Sequence, residues 1–375
     1  MVKIRIKLII INTHPIFYHI NFYKKLSKEN IDSKILYLWD RFNKKIKENA
    51  KESFVEKNYL PFDFRKNLLK NYKYEFIKNK NINQKFGFFD LLSIKIFKKI
   101  IEEKPKIIMC YGYNTLVFFL ILLFCKILNI KFLLKGEVIK HREGLISKIY
   151  KLLFFFLSDF IVYSCKKNKE YFKSYNVNSK KLFFFPCAVD NKNIRNLFKK
   201  KEKKENFFYA GKIIERKNLD FLIDGFINFN KNLTSNLYII GNGYIKDKLK
   251  EKYKNYKFIK FVGHMNYTKL FKYINKNMKY FIITSNYDPS PKIINECLNL
   301  KIPIICSSNI GTAGDLVRNN FNGLIYKSGD KQHFLRQLKK IKNNYHKLYK
   351  NCHLSLKKWD DEISVKNMLK ISKYL

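Results

Sequence analysis

Metal-binding and disulfide signatures are missing from this chain of 375 residues. Its cysteines (Cys110, Cys125, Cys165, Cys187, Cys297, Cys306 and Cys352) stand singly, with no Cys-x-x-Cys pair and no Cys/His spacing suited to zinc. That excludes a zinc module and a disulfide scaffold, and it suits a reducing cytoplasm. No other cluster of metal-binding side chains is visible, so neither a metal nor a resident cofactor is expected.

A membrane-spanning run is also lacking. The most apolar stretch, TLVFFLILLFC from Thr115 to Cys125, stops at Lys126, well short of the ~20 residues a spanning helix needs. The opening MVKIRIKLIIINTHP places bulky and polar Asn-Thr-His-Pro where a secretory cleavage site needs small residues, so it reads as a first buried strand. A cytoplasmic protein is expected, peripheral at most at the inner face of the plasma membrane.

Acidic residues are scarce, 30 against 76 basic ones, which gives a net charge of +46. Such a balance ordinarily points to nucleic acid or to an anionic membrane. Here the lysines travel with an excess of Asn, Ile, Phe and Tyr, all drawn from AT-rich codons, so the charge reflects composition along the whole chain. No motif of a nucleic-acid-binding module occurs, and nucleic acid is not an expected partner. Weak attraction to an anionic membrane surface is compatible with the charge.

What is present is alternation. The runs IRIKLIII, DSKILYL, PKIIMCY, IKFLLK, DFIVYS and KLFFFP read as buried strands, separated by the helical segments GFFDLLSIKIFKKIIEE, NTLVFFLILLFCKIL and GLISKIYKLLFFFL. Strand-helix-strand order implies parallel pairing. The charged, aperiodic KNIRNLFKKKEKKEN then intervenes, and the alternation restarts with NFFYAG, NLYIIG, YKFIKFVG, KYFIITS, IPIICSS and NGLIYK. The length exceeds what one core usually serves. The expected architecture is α/β with two Rossmann-like domains, residues 1–190 and 206–355, joined by a linker at 191–205 and followed by a helical segment at 356–375.

Several strands end in Gly or Ser, at the carboxyl ends where open α/β sheets bind ligands. In YAGKIIERKN, Gly211 permits close backbone approach and Lys212 and Lys217 are suited to a diphosphate; solvated surface lysines are the alternative. Gly241-Asn242-Gly243 reads equally as a nucleotide-facing turn or a tight structural one, since a full G-x-G-x-x-G is absent. In TSNYDPSPKIINECLNLK, Asp288 precedes a helix and Glu296 lies within it. Each has two readings: acceptors for sugar hydroxyls, or a loop cap and a solvated helix face. His14 and His19 follow the first strand, each either a ligand contact or an ordinary loop or core histidine, and Glu137 and His141 follow a later strand.

Taken together, GKIIERKN, IIGNGYIKDKL, FVGHMNYTKLFKYI, TSNYDPSPKIINECLNLKIPIICSSNIGTAGDLV and NNFNGLIYKSGD resemble, in order and spacing, the family 4 glycosyltransferases of GT-B fold. The resemblance covers nearly all of residues 206–330. It implies two Rossmann-like domains facing across a cleft, and transfer of a sugar, a hexose by type, from a UDP- or GDP-sugar to a glycan or lipid-linked glycan with retention of configuration. Surface polysaccharide or lipopolysaccharide assembly is the common setting of similar enzymes. By the same resemblance Lys212 and Lys217 meet the diphosphate, Asp288 the donor sugar and Glu296 the ribose, with Gly211, Gly243, Ser290, Lys292 and Ile293 along the nucleotide. The family's Gly-Arg becomes Gly211-Lys212, which keeps the charge and loses the bidentate fork. The E-x7-E pair becomes Asp288 and Glu296, and a loop glycine becomes Pro291. His14, His19, Glu137 and His141 fall where acceptor or donor sugar would lie. Two alternatives belong to other classes: a sugar-nucleotide epimerase of GT-B type, which needs no acceptor, and a non-catalytic basic protein that binds RNA or membrane.

Overall fold

Runs rich in isoleucine and phenylalanine form strands buried on both faces, as parallel sheets covered by helices require. The computed structural model describes residues 6–40, 69–77, 87–140, 143–197, 204–231 and 235–375. They fall into two units. The first runs to Cys187 and resumes at Asp361; the second runs from Ala188 to Asp360.

The first unit comprises β1 (Ile6–Asn12), α1 (Ile20–Leu26), β2 (Ile31–Tyr37), β3 (Lys73–Phe76), α2 (Ile94–Glu103), β4 (Ile107–Tyr111), α3 (Leu116–Ile127), β5 (Lys131–Lys135), α4 (Leu145–Leu157), β6 (Phe160–Tyr163), α5 (Lys166–Lys173) and β7 (Leu182–Phe184). Its sheet is ordered β3-β2-β1-β4-β5-β6-β7, and every pairing is parallel. Leu8 to Ile11 lie opposite Ile107 to Cys110 at the centre of the sheet, and all eight side chains are at most 1% exposed. Phe118, Ile121, Phe154 and Phe155 cover one face from the helices.

The second unit comprises α6 (Asn191–Leu197), β8 (Phe207–Ala210), α7 (Leu219–Phe229), β9 (Leu237–Ile240), α8 (Lys246–Lys252), β10 (Ile259–Gly263), α9 (Tyr267–Asn277), β11 (Tyr280–Ile283), α10 (Lys292–Asn299), β12 (Ile304–Ser307), β13 (Gly323–Tyr326), α11 (Lys331–Asn343) and α12 (Tyr345–Ser355). Its sheet runs β10-β9-β8-β11-β12-β13, again wholly parallel. Both units are therefore Rossmann-like. In each, the strand order reverses beside the unit's first strand, at β1/β4 and at β8/β11, which puts a crevice at the carboxyl ends of those strands.

A last helix, α13 (Asp361–Ile371), belongs to the first unit. Asn21 Nδ2 donates to Asp361 Oδ2 at 2.6 Å, and Asn367 Nδ2 donates to the Phe184 carbonyl at 2.7 Å. Val365, Met368 and Ile371 supply its buried face.

The structure departs from the sequence reading in three places. The segment expected as a linker at 191–205 begins with α6, whose Ile194 is buried and whose Arg195 donates to Asn299 Oδ1 at 2.8 Å. One buried aliphatic and a polar anchor suffice where periodicity is absent. The helix expected from Gly87 starts only at Ile94, capped by Ser93, because Leu91 sits at a left-handed φ of 68° that breaks the turn before it. The short edge strand β3, half exposed and carrying Lys73 and Glu75, gave no apolar signal.

Candidate functional site

The connections leaving β8 and β11 diverge at the switch point of the second sheet and are latched to each other. Thr284 Oγ1 donates to the carbonyls of Lys217 and Asn218 at 3.0 and 3.1 Å. Asn286 N donates to the Arg216 carbonyl at 2.9 Å, and Arg216 Nη1 returns a bond to the Tyr287 carbonyl at 2.9 Å. After Gly211 the chain makes a short turn over Glu215–Lys217 and enters α7 through Asn218, whose left-handed backbone (φ 54°) ends the turn. The latch carries Lys217 under the β11 loop. There its ammonium forms an ion pair with Asp288.

Both partners are buried, Lys217 at 9% and Asp288 at 8% exposure. Burial pulls the Lys217 pKa below the ordinary lysine range; Asp288 opposes that shift, while Arg216 and Lys212 add to it. The lysine pair, expected on the diphosphate, and the acidic pair, expected on sugar and ribose, are thus joined at one point, Lys217 to Asp288. Lys212 is exposed, and its carbonyl accepts from the Tyr209 hydroxyl at 2.7 Å. Asp288 caps no helix; Pro291 occupies the N-cap of α10.

Glu296 is 3% exposed, which removes the solvated-face reading. Its partner is Tyr267, at the start of α9, whose hydroxyl hydrogen-bonds the carboxylate; burial first, and that carboxylate second, hold the Tyr267 pKa far up. Helix α10 is buried almost all round, Asn295 and Asn299 included. Lys292 and Ile293, half-buried, form its first turn.

The loop after β12 closes the other side. Gly311 N donates to the Asp288 carbonyl at 2.8 Å, and a Cβ on Gly311 would stand 1.9 Å from the Pro289 oxygen. Around this contact the hydroxyl oxygens of Ser285, Ser290 and Thr312 are buried without a hydrogen-bond partner among the described residues. Buried hydroxyls left unpaired are uncommon and call for an explanation. Sequence reasoning named Ser290 alone of the three, and it missed the Thr284 latch and Tyr267; a serine or threonine directly after an apolar strand was the available signal for Thr284 and Ser285.

Gly241 and Gly243 have a packing reason of their own. Ile213 N donates to the Asn242 carbonyl at 2.8 Å, and this draws the β9 loop so close to the β8 loop that a Cβ would fall 1.9 Å from the Gly211 oxygen at Gly241 and 2.0 Å from the Ile213 oxygen at Gly243. Gly243→Ala is therefore expected to destabilise the second unit by about 1–3 kcal/mol through overpacking. Chemical denaturation should show a lowered midpoint at unchanged slope; an unaltered midpoint would mean that the two loops part without cost.

In the first unit, Asn12 ends β1 and its Nδ2 lies 3.1 Å from His19 Nδ1 and 3.2 Å from the Tyr23 hydroxyl. The His19 ring packs 4.4 Å from that of Tyr111, the last residue of β4, so it sits over the β1/β4 crevice. His14 lies against Thr13 at 2.9 Å and edge-on to Trp39. Glu137, after β5, accepts from Cys187 Sγ at 2.6 Å. Burial first, then the carboxylates of Asp361 and Glu137, push the Tyr111 phenol far up. His141 lies outside the described residues.

The chain is similar to known proteins in sequence and in fold. Residues 190–359 match the model of the family described as Glycosyl transferases group 1. Those residues are nearly the whole of the second unit, which is thus similar to that family. A curated relative, the probable sucrose-phosphate synthase of Thermosipho melanesiensis, is 26% identical over 217 residues, 51% of this chain and 48% of its own. The chain thus spans about half the length of the curated relative it matches. Solved structures share the fold: a glycosyltransferase from Rickettsia africae (TM-score 0.74, 14% identity, 99% of this chain and 98% of that one), and Anabaena HepE in complex with UDP and glucose (0.70, 13% identity, 99% and 100%). The lipopolysaccharide outer core galactosyltransferase WaaB is similar too (0.72, 15% identity, 99% and 100%). All are GT-B glycosyltransferase architectures, and the two parallel-sheet domains match them. Within the second unit, the latched crevice at β8/β11 is the place where its sheet would bind a ligand.

Proposed function

We propose that this chain is a glycosyltransferase that moves a hexose from a nucleotide sugar to a glycan or lipid-linked glycan acceptor, with retention of configuration. The observation that carries the reading is the buried Lys217–Asp288 pair at the β8/β11 switch point of the second unit, set among unpaired buried hydroxyls. An ammonium has three donors. One stays on Asp288 while the others meet a diphosphate oxygen, with Ser290, Lys292 and the N–H groups of Lys292 and Ile293 along the same phosphates. Asp288 then accepts from the donor sugar, and Glu296 from the ribose. The leaving diphosphate gains negative charge as the glycosidic bond breaks, so Lys217 and Lys212 favour the transition state over the ground state. A donor phosphate oxygen takes the acceptor proton.

A uridine nucleotide is the first donor to test, since the Anabaena neighbour binds UDP and UDP-glucose. GDP and its sugars come next. The neighbour named as a lipopolysaccharide galactosyltransferase supports a setting in surface-glycan assembly, and the positive balance supports reversible attachment to the inner face of an anionic membrane. His14, His19 and Glu137 are proposed on the acceptor side.

Thermal unfolding in the presence of UDP, GDP, ADP and their sugars tests the reading. A ligand at about 100 times its Kd adds about 2.7 kcal/mol to the stability of the folded state. One nucleotide and its sugar should raise the melting temperature, and transfer should persist in excess EDTA because lysines supply the positive charge. No stabilisation by any nucleotide would sink the proposal. Turnover of the sugar nucleotide without acceptor would replace transfer by epimerisation, and transfer abolished by EDTA and restored by Mg²⁺ would overturn the role given to the lysines.

A further inference from the structure

Helix α4 wears its apolar residues on both sides. Inward, Phe154 and Phe155 pack into the first core, with Phe154 5.9 Å from Phe132 of β5. Outward, Leu145, Ile146, Ile149, Leu152, Leu153 and Phe156 form a continuous stripe, with Ile146 86% and Phe156 73% exposed. At 3.6 residues per turn these positions span one side of a helix about 20 Å long. Exposed Phe89 extends the patch, because its neighbour Phe88 contacts Tyr150 of α4 at 5.5 Å. So large a contiguous apolar surface marks an interaction site.

The rim of the stripe is cationic. Lys148 is the one exposed polar side chain on the outward face, and Lys181 lies 5.9 Å from the Phe156 ring while bonding the Phe156 carbonyl at 3.0 Å. The neighbouring acids are engaged: Glu143 with Lys151 at 2.6 Å and Asp159 with Lys126 at 2.7 Å. We propose that this face of α4 is a membrane-docking surface, which lies in the headgroup region of an anionic bilayer with its stripe inserted and its lysines on the lipid phosphates. Apolar insertion joined to basic flanks is how interfacial helices bind. A second copy of the chain fits less well, because a two-fold contact would set one cationic rim against the other.

This surface rests on the membrane attachment proposed above and not on sugar transfer, so it is tested without the transfer reaction. The full chain is sedimented with vesicles of phosphatidylcholine and phosphatidylglycerol, or of phosphatidylcholine alone, beside a combined Ile146→Gln, Ile149→Gln, Phe156→Gln variant. These positions are exposed, so the variant should melt with the wild type. Binding is expected to the anionic vesicles, to weaken in salt and on neutral vesicles, and to fall at least about tenfold in the variant. Wild-type binding by the variant, no binding by the wild type, or a lipid-free dimer that the variant dissociates would each overturn the proposal.

Discussion

Lys217→Ala should reduce the rate of sugar transfer by about 10²–10³, the usual loss when one preorganised donor to a developing charge is removed. It should also destabilise the fold. Removing one partner of a buried ion pair costs about 3–5 kcal/mol, because the other charge stays behind without compensation, and Asp288 is as deeply placed as its lysine. The two effects separate in the double variant Lys217→Met, Asp288→Asn. With both charges gone most of the stability should return, yet transfer should stay low, since the buried Lys217 ammonium no longer faces the diphosphate. Steady-state rates and denaturant midpoints of the two variants decide the matter. Recovery of transfer along with stability would reduce Lys217 to a structural ion pair.

The second large effect is on nucleotide affinity. Glu296→Gln keeps the shape of a buried side chain but removes its charge, and a hydrogen bond to a charged group is worth about 1.5–3 kcal/mol. Affinity for the bare nucleoside diphosphate should therefore fall about 10- to 100-fold. Tyr267→Phe, which deletes only the hydroxyl that orients Glu296, should weaken binding less. Calorimetric titration with the diphosphate measures both, and wild-type affinity in Glu296→Gln would return this residue to a role in helix packing.

Much of the fold is legible in the sequence because parallel strands must be apolar on both faces. KLIII, PKIIMCY and KYFII could hardly serve otherwise, and they became β1, β4 and β11. The reading failed where that demand lapses. Edge strand β3 needs no buried second face, and α6 is tied down through Arg195 and a single isoleucine. At the site, residue types and loop positions were visible, but their pairing was not. Lys217 and Asp288 lie 71 positions apart, and only the switch-point topology, with its Thr284 latch, brings them into contact. Nor could periodicity reveal that Glu296 is buried, since α10 is short and enclosed on nearly every side.

Helix α13 carries a consequence for the order of assembly. The first unit draws its last element from beyond the whole of the second, so a chain emerging from the ribosome completes the second sheet and its helices before Asp361 can reach Asn21 or Asn367 can reach Phe184. During that interval the face of the first unit that α13 will cover stays open to solvent, whereas the second unit can fold as each part appears. Docking α13 onto the first unit closes a loop that contains the whole of the second unit.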